Sequence, residues 1–162
     1  MRLPSRAVFA AVFVACAGLI GLAMYMQHEL GLEPCPMCIL QRYAFMAVAL
    51  VALVAAIHGP GKLGVRIYGG LALLFALAGA GTSIRHSYLQ RFPDGSLSCG
   101  ADLDFLINNF SLAQALPKMF AGTGECSKVQ WRMLGLSIPE WALVWYLIFA
   151  VVAIWLIVRK PS

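Results

Sequence analysis

The apolar positions of the chain gather into four long stretches separated by shorter polar segments. They run from about Ala7 to Met26, Ile39 to Ile57, Val65 to Ile84, and Trp141 to Val158. A helix needs about 18 or more mostly apolar residues to cross roughly 30 Å of hydrocarbon, and each stretch reaches that length. None carries a carboxylate, a Lys or a Pro, so each can satisfy its own backbone hydrogen bonds in lipid. The pattern predicts an all-α protein, a transmembrane four-helix bundle forming a single integral membrane domain over residues 1–162.

The connections are unequal. His58 to Gly64 is a tight turn rich in Gly and Pro, and its Gly59-Pro60-Gly61-Lys62 is too short for a phosphate-binding loop. The other two connections, residues 27–38 and 85–140, carry most of the polar chain. In the longer one, Leu112, Leu116, Met119 and Phe120 fall at helical spacing beside Gln114 and Lys118. That spacing suggests a short amphipathic helix on the membrane surface, interrupted by Pro117, or a loop that tucks the same side chains against the bundle. Trp131, Trp141, Trp145 and Tyr146 are expected as interfacial anchors.

Composition agrees with a bilayer and excludes an ordinary soluble domain: 61% of residues are hydrophobic and 12% charged, with a mean hydropathy of +0.81. Charge sets the orientation. Arg2, Arg6, Lys62, Arg66, Arg159 and Lys160 lie at the termini and the middle turn with no acid among them, which marks that side as cytoplasmic. All seven acidic residues fall on the opposite side, so both termini are expected in the cytoplasm and both longer loops in the periplasm. The net charge of +5 reports this topology and contact with anionic lipid, and gives no sign of nucleic-acid binding. Ala15-Cys16-Ala17 imitates a signal cleavage site, but the apolar run continues to Met26, so a spanning helix is expected.

Four of the five cysteines, Cys35, Cys38, Cys99 and Cys126, lie in the outer loops. In an oxidising compartment such thiols pair, and although three connectivities are open, spacing favours Cys35 with Cys38 and Cys99 with Cys126. Cys35-Pro36-Met37-Cys38 stands where a loop enters a membrane helix, which places Cys38 near unpaired backbone N–H groups that favour a thiolate. Arg42, four residues on, shares that helix face and adds a fixed cation. A structural disulfide or part of a zinc site is the competing reading, Cys99 and Cys126 supplying the remaining ligands; no metal is expected, because the sulfurs are widely separated and Arg42 would stand idle. A Cys99–Cys126 bridge would also act as a staple of roughly 3 to 4 kcal/mol. Cys16 reads as a small apolar filler.

Pro34-Cys35-Pro36-Met37-Cys38-Ile39-Leu40-Gln41-Arg42, Cys99, and Gly124-Glu125-Cys126 followed by Gln130-Trp131 resemble the disulfide bond formation protein B (DsbB) family over nearly the whole chain. The resemblance implies a membrane thiol oxidase of the bacterial inner membrane. It would reoxidise a periplasmic thioredoxin-fold disulfide donor, DsbA, and pass the electrons to the membrane quinone pool, ubiquinone or menaquinone. It also implies roles: Cys99 is attacked by reduced DsbA, Cys126 is its partner, Cys35 exchanges with Cys126, and Cys38 faces the quinone. Arg42 and His86 would sit at the quinone, with Gln41 and Arg85 beside them. Two other functions remain to be weighed, a tetraspan protein with structural disulfides and a carrier of reducing electrons. The carrier would want a cysteine pair within the spans, where Cys16 stands alone.

Overall fold

The computed structural model describes residues 4–32, 34–92, 117 and 124–159. Four long helices dominate: α1 (Ser5–Glu29), α2 (Pro36–His58), α3 (Lys62–Arg91) and α4 (Ile138–Val158). All four are long and apolar enough to cross a membrane. A 3-10 turn, η1 (Gly124–Ser127), and a short antiparallel hairpin, β1 (Arg132–Met133) and β2 (Leu136–Ser137), precede α4. Leu134 and Gly135 join the two strands with positive φ at both positions, the backbone that two-residue hairpin turns require.

The helix ends follow from local chemistry. Gly59 takes the left-handed conformation after α2 and its N–H closes on the Ala55 carbonyl at 3.0 Å, ending the helix at His58, two residues before Pro60. At the same end of the bundle Arg6 Nε donates to the Ala56 carbonyl at 2.9 Å, satisfying another last-turn oxygen. Ser137 and Glu140 form a reciprocal capping box at the start of α4, with Glu140 Oε2 accepting from the Ser137 N–H at 2.8 Å. Arg91, at the end of α3, pairs with the same carboxylate.

The outer loop expected over residues 85–140 is shorter than hydropathy suggested, because α3 runs seven residues past Ile84 and α4 begins at Ile138. Hydropathy reports how much chain lies in hydrocarbon, whereas α3 continues because His86 and Leu89 are buried against η1 and the start of α2. Likewise α1 and α2 shorten the first outer connection, expected at 27–38, to residues 30–35. The expected surface helix around Leu112 to Phe120 falls outside the described residues, Pro117 excepted.

α1 packs on α2, α2 on α3, and α3 on α4. The last contact is close because α3 turns Gly69, Ala72, Ala76, Gly79, Ala80 and Ser83 inward, and small residues let helix backbones approach where lipid offers no hydrophobic drive. Tyr146 of α4 fills the space left at Gly79, where a Cβ would overlap its ring. This corrects its expected place at the interface: Tyr146 is fully buried. Its ring stacks on Phe45 at 4.2 Å between centroids, and its hydroxyl donates to the Gln41 carbonyl at 2.6 Å. One side chain thus ties α2, α3 and α4 together a turn below Cys38. Cys16 is buried in the same cluster.

Gly79→Ala is expected to destabilise the purified protein by about 1 to 3 kcal/mol through overpacking. Tyr146→Phe should cost about 1 kcal/mol for one lost buried hydrogen bond. Thermal unfolding in detergent checks both, and a Gly79→Ala midpoint equal to wild type would contradict this packing.

Candidate functional site

The site begins where α2 begins. Pro36 occupies the first turn, where its missing N–H costs nothing, and Cys35 stands at the N-cap in extended conformation. The Cys35 sulfur does what a Ser or Asp oxygen does at other helix starts: it accepts from the Cys38 N–H at 3.4 Å. It also donates to Cys38 Sγ at 3.0 Å. The two sulfurs of the C-x-x-C are therefore held in one hydrogen-bonded turn, and they face different surroundings.

Cys35 faces inward. Its sulfur, that of Cys126 on η1 and a ring nitrogen of His86 on α3 all lie within 4.8 Å of one another, and all three residues are buried. His86 Nε2 is 3.6 Å from Cys35 Sγ, and the ring also bonds the Cys126 backbone. The Gln41 amide lies 3.5 Å from His86 Nδ1. Met37 and Leu89 complete an apolar wall around the sulfurs. Hydrogen bonds to Cys126 and Cys38, with burial added, push the Cys35 thiol above the usual thiol range.

Cys38 faces outward, into a cavity of about 370 Å³ in the seam that α1 and α4 leave open over α2. The walls are apolar and aromatic: Leu19, Ala23 and Met26 from α1, Phe45 from α2, Trp141 and Trp145 from α4, and Trp131 from the segment before β1. The polar groups are few and come mainly from Gln27, Gln41, Arg42 and Gln130. Arg42 is positioned by α1, donating from Nη1 to Gln27 Oε1 at 2.5 Å and to Met24 Sδ at 3.7 Å, and from Nη2 to the Ala23 carbonyl at 3.2 Å. Volume, apolar walls and a small convergent polar set are the usual marks of a small-molecule site.

Residues 5–156 match the family model of disulfide bond formation protein DsbB. The chain belongs to the DsbB family. Disulfide bond formation protein B of Aromatoleum aromaticum is 54% identical over 156 residues, covering 96% of this chain and 94% of the relative. That of Azoarcus sp. (strain BH72) is 47% identical over 152 residues, covering 94% and 92%. That of Chromobacterium violaceum is 45% identical over 161 residues, covering 99% and 97%. The family is one of disulfide-generating membrane oxidoreductases, and four apolar spans in a bacterial DsbB fit a multi-pass inner-membrane protein.

For a DsbB-family chain, the placement of the expected residues is informative. Cys35, Cys38, Gln41 and Arg42 come together on the first turns of α2, and Cys126 reaches Cys35 from the second loop. His86 is not among the residues lining the cavity that holds Arg42; it meets Cys35 and Cys126, and with Cys38, Gln130 and Trp131 it lines a second, small cavity of about 20 Å³. Arg85 is likewise absent from that cavity and lies 5.9 Å from the Tyr88 ring centroid. Cys99 lies outside the described residues. Gln27, which fixes Arg42, and the tryptophans of the cavity wall were not recognised as site residues from sequence. Gln27 carried a faint signal, as a polar residue ending the first apolar run.

In the reduced protein, an apolar maleimide dissolved in the bilayer is expected to modify Cys38 before Cys35 and Cys126. Peptide mass mapping after partial reaction checks the order, and equal or reversed labelling would contradict the outward placement of Cys38.

Proposed function

We propose that the chain is a quinone-dependent protein-dithiol oxidase: it takes two electrons from a DsbA-like thiol protein in the periplasm and delivers them to membrane quinone. The observation that carries this reading is the division of the C-x-x-C, with Cys35 against Cys126 and Cys38 against an apolar cavity containing a fixed guanidinium. Density of basic residues at the termini and the middle turn supports periplasmic loops.

The donor set suits a quinone. A cavity of about 370 Å³ with aromatic walls would accept a planar ring, and the seam between α1 and α4 would let a prenyl tail reach lipid. Arg42, Gln41 and Cys38 are the residues that would hold it. A bound quinone supplies the oxidising capacity, taking up two electrons and two protons.

The protein's own part is thiol–disulfide exchange. Thiols of the partner attack the Cys99–Cys126 bond and leave as a disulfide, with Cys99 as the sulfur first attacked. Cys126 then attacks Cys35 in the Cys35–Cys38 bond, and Cys38 leaves with the electron pair on the cavity side; Cys99 next attacks Cys126 in the resulting Cys35–Cys126 bond, which restores the Cys99–Cys126 bridge and frees Cys35. The balance is one disulfide formed in the partner and one reduced to two thiols here. His86 Nε2, 3.6 Å from Cys35 Sγ, is within reach to accept and return the proton that moves with this exchange. The family resemblance alone pointed His86 toward the quinone, and its geometry favours this second role.

The test is quinone reduction by purified protein supplied with reduced DsbA-like partner. Wild type should turn over, Cys38→Ala should abolish quinone reduction, and Cys99→Ala should lose the mixed disulfide with the partner. Arg42→Met should lower kcat/KM roughly tenfold or more, the scale of one hydrogen bond to a charged group. Wild-type protein that fails to couple partner oxidation to quinone reduction would overturn the proposal.

A further inference from the structure

Electron exchange explains why Cys35 and Cys126 meet and proton transfer gives His86 a part, yet the three donor atoms together also form a compact ligand set. Two thiols and a histidine within 4.8 Å are the donors that a borderline or soft d10 cation prefers. The distances suit one. Zn–S bonds of about 2.3 Å and Zn–N bonds of about 2.0 to 2.1 Å at a tetrahedral angle separate sulfur from nitrogen by roughly 3.5 Å. Cys35 Sγ and His86 Nε2 are 3.6 Å apart.

A fourth donor is near, since Cys38 Sγ lies 3.0 Å from Cys35 Sγ; it stands outside the 4.8 Å set of Cys35, Cys126 and His86 and would join them by turning inward from its cavity. Cys35, Cys38 and His86 also border a small cavity of about 20 Å³, room on the scale of one water-sized sphere. The Gln41 amide nitrogen lies 3.5 Å from His86 Nδ1, and a half-turn of that amide would present its oxygen to accept the Nδ1–H of a metal-bound imidazole. Lys128, exposed and bordering the same small cavity, marks where it approaches solvent.

We propose that the dithiol state of this site is also a zinc trap, with Zn²⁺ held by Cys35, Cys126 and His86 and with Cys38 as the fourth ligand. The inference deepens the exchange reading above, because the same sulfurs serve both. Zn²⁺ displaces one proton from each thiol it binds, and no electron changes hands. Coordination ties up the sulfur lone pair and slows its attack on a disulfide, so zinc favours the reduced chain and competes with turnover. Closing the Cys35–Cys38 bond removes two ligands at once, so the oxidised chain releases the ion. Redox state thereby decides whether the site binds metal.

The test titrates anaerobically reduced full-length protein, freed of reductant, with Co²⁺ as the probe. Wild type and Cys99→Ser should both develop the visible bands of tetrahedral cobalt–thiolate coordination, and Zn²⁺ should bleach them. Cys126→Ser and His86→Gln, both close in shape to the native residue, should weaken binding at least tenfold, and disulfide-bonded protein should give no bands. Reduced wild type without bands, or Cys126→Ser and His86→Gln binding as tightly as wild type, would overturn the proposal. The readout is independent of quinone, so loss of quinone reduction with cobalt binding intact sinks only the oxidase reading, and the reverse result sinks only the trap.

Discussion

A cysteine used as a helix cap is the constraint from which the rest of this site follows. The Cys35 sulfur accepts the Cys38 N–H and donates to the Cys38 sulfur, so helix start and C-x-x-C pair are the same few atoms. The helix turn also decides direction. Residues three apart at the start of a helix lie close together, yet Cys35, still outside the helical path, points to the second loop while Cys38 points along the wall of α2. On the proposed function, a C-x-x-C with two faces would need no moving domain between a soluble partner and a lipid-soluble acceptor.

That turn is useful only if α2 is held still, and the bundle holds it from two sides. Tyr146 reaches across Gly79 to the Gln41 carbonyl, fixing α2 against α3 and α4. On the other face Gln27 and the Ala23 carbonyl of α1 fix the Arg42 guanidinium. Gln41 lies between these restraints, its backbone bound to Tyr146 and its side chain beside His86. Small residues on α3 permit the close packing behind the site, while α1 and α4 stay apart in front of it, leaving the cavity. Tight packing and an open seam in one bundle divide the labour between stability and access.

Much of this was legible in the sequence because a bilayer imposes length and polarity rules that few other environments impose. The four spans follow from those rules, and the Cys38–Arg42 register follows from helix periodicity. What escaped depended on contacts between distant residues. Residues 85–91 are helical because His86 and Leu89 meet η1, a reason that no local window contains. Tyr146 resembles an interfacial anchor until Gly79, far away in sequence, is seen to make room for it. Gln27 acquires its part only through Arg42, and the β1–β2 hairpin rests on a Leu134-Gly135 turn whose first residue is an unusual choice for positive φ.

The central claim is that Cys35 and Cys38 by themselves form the outlet to the membrane acceptor. The most direct measurement uses a chain with Cys99 and Cys126 both replaced by Ser, reduced, placed in nanodiscs with or without quinone, then denatured, alkylated and weighed. Quinone should close the pair, so that Cys16 alone takes up the reagent, while without quinone Cys35 and Cys38 should be modified as well. Full modification of Cys35 and Cys38 despite excess quinone would contradict the account.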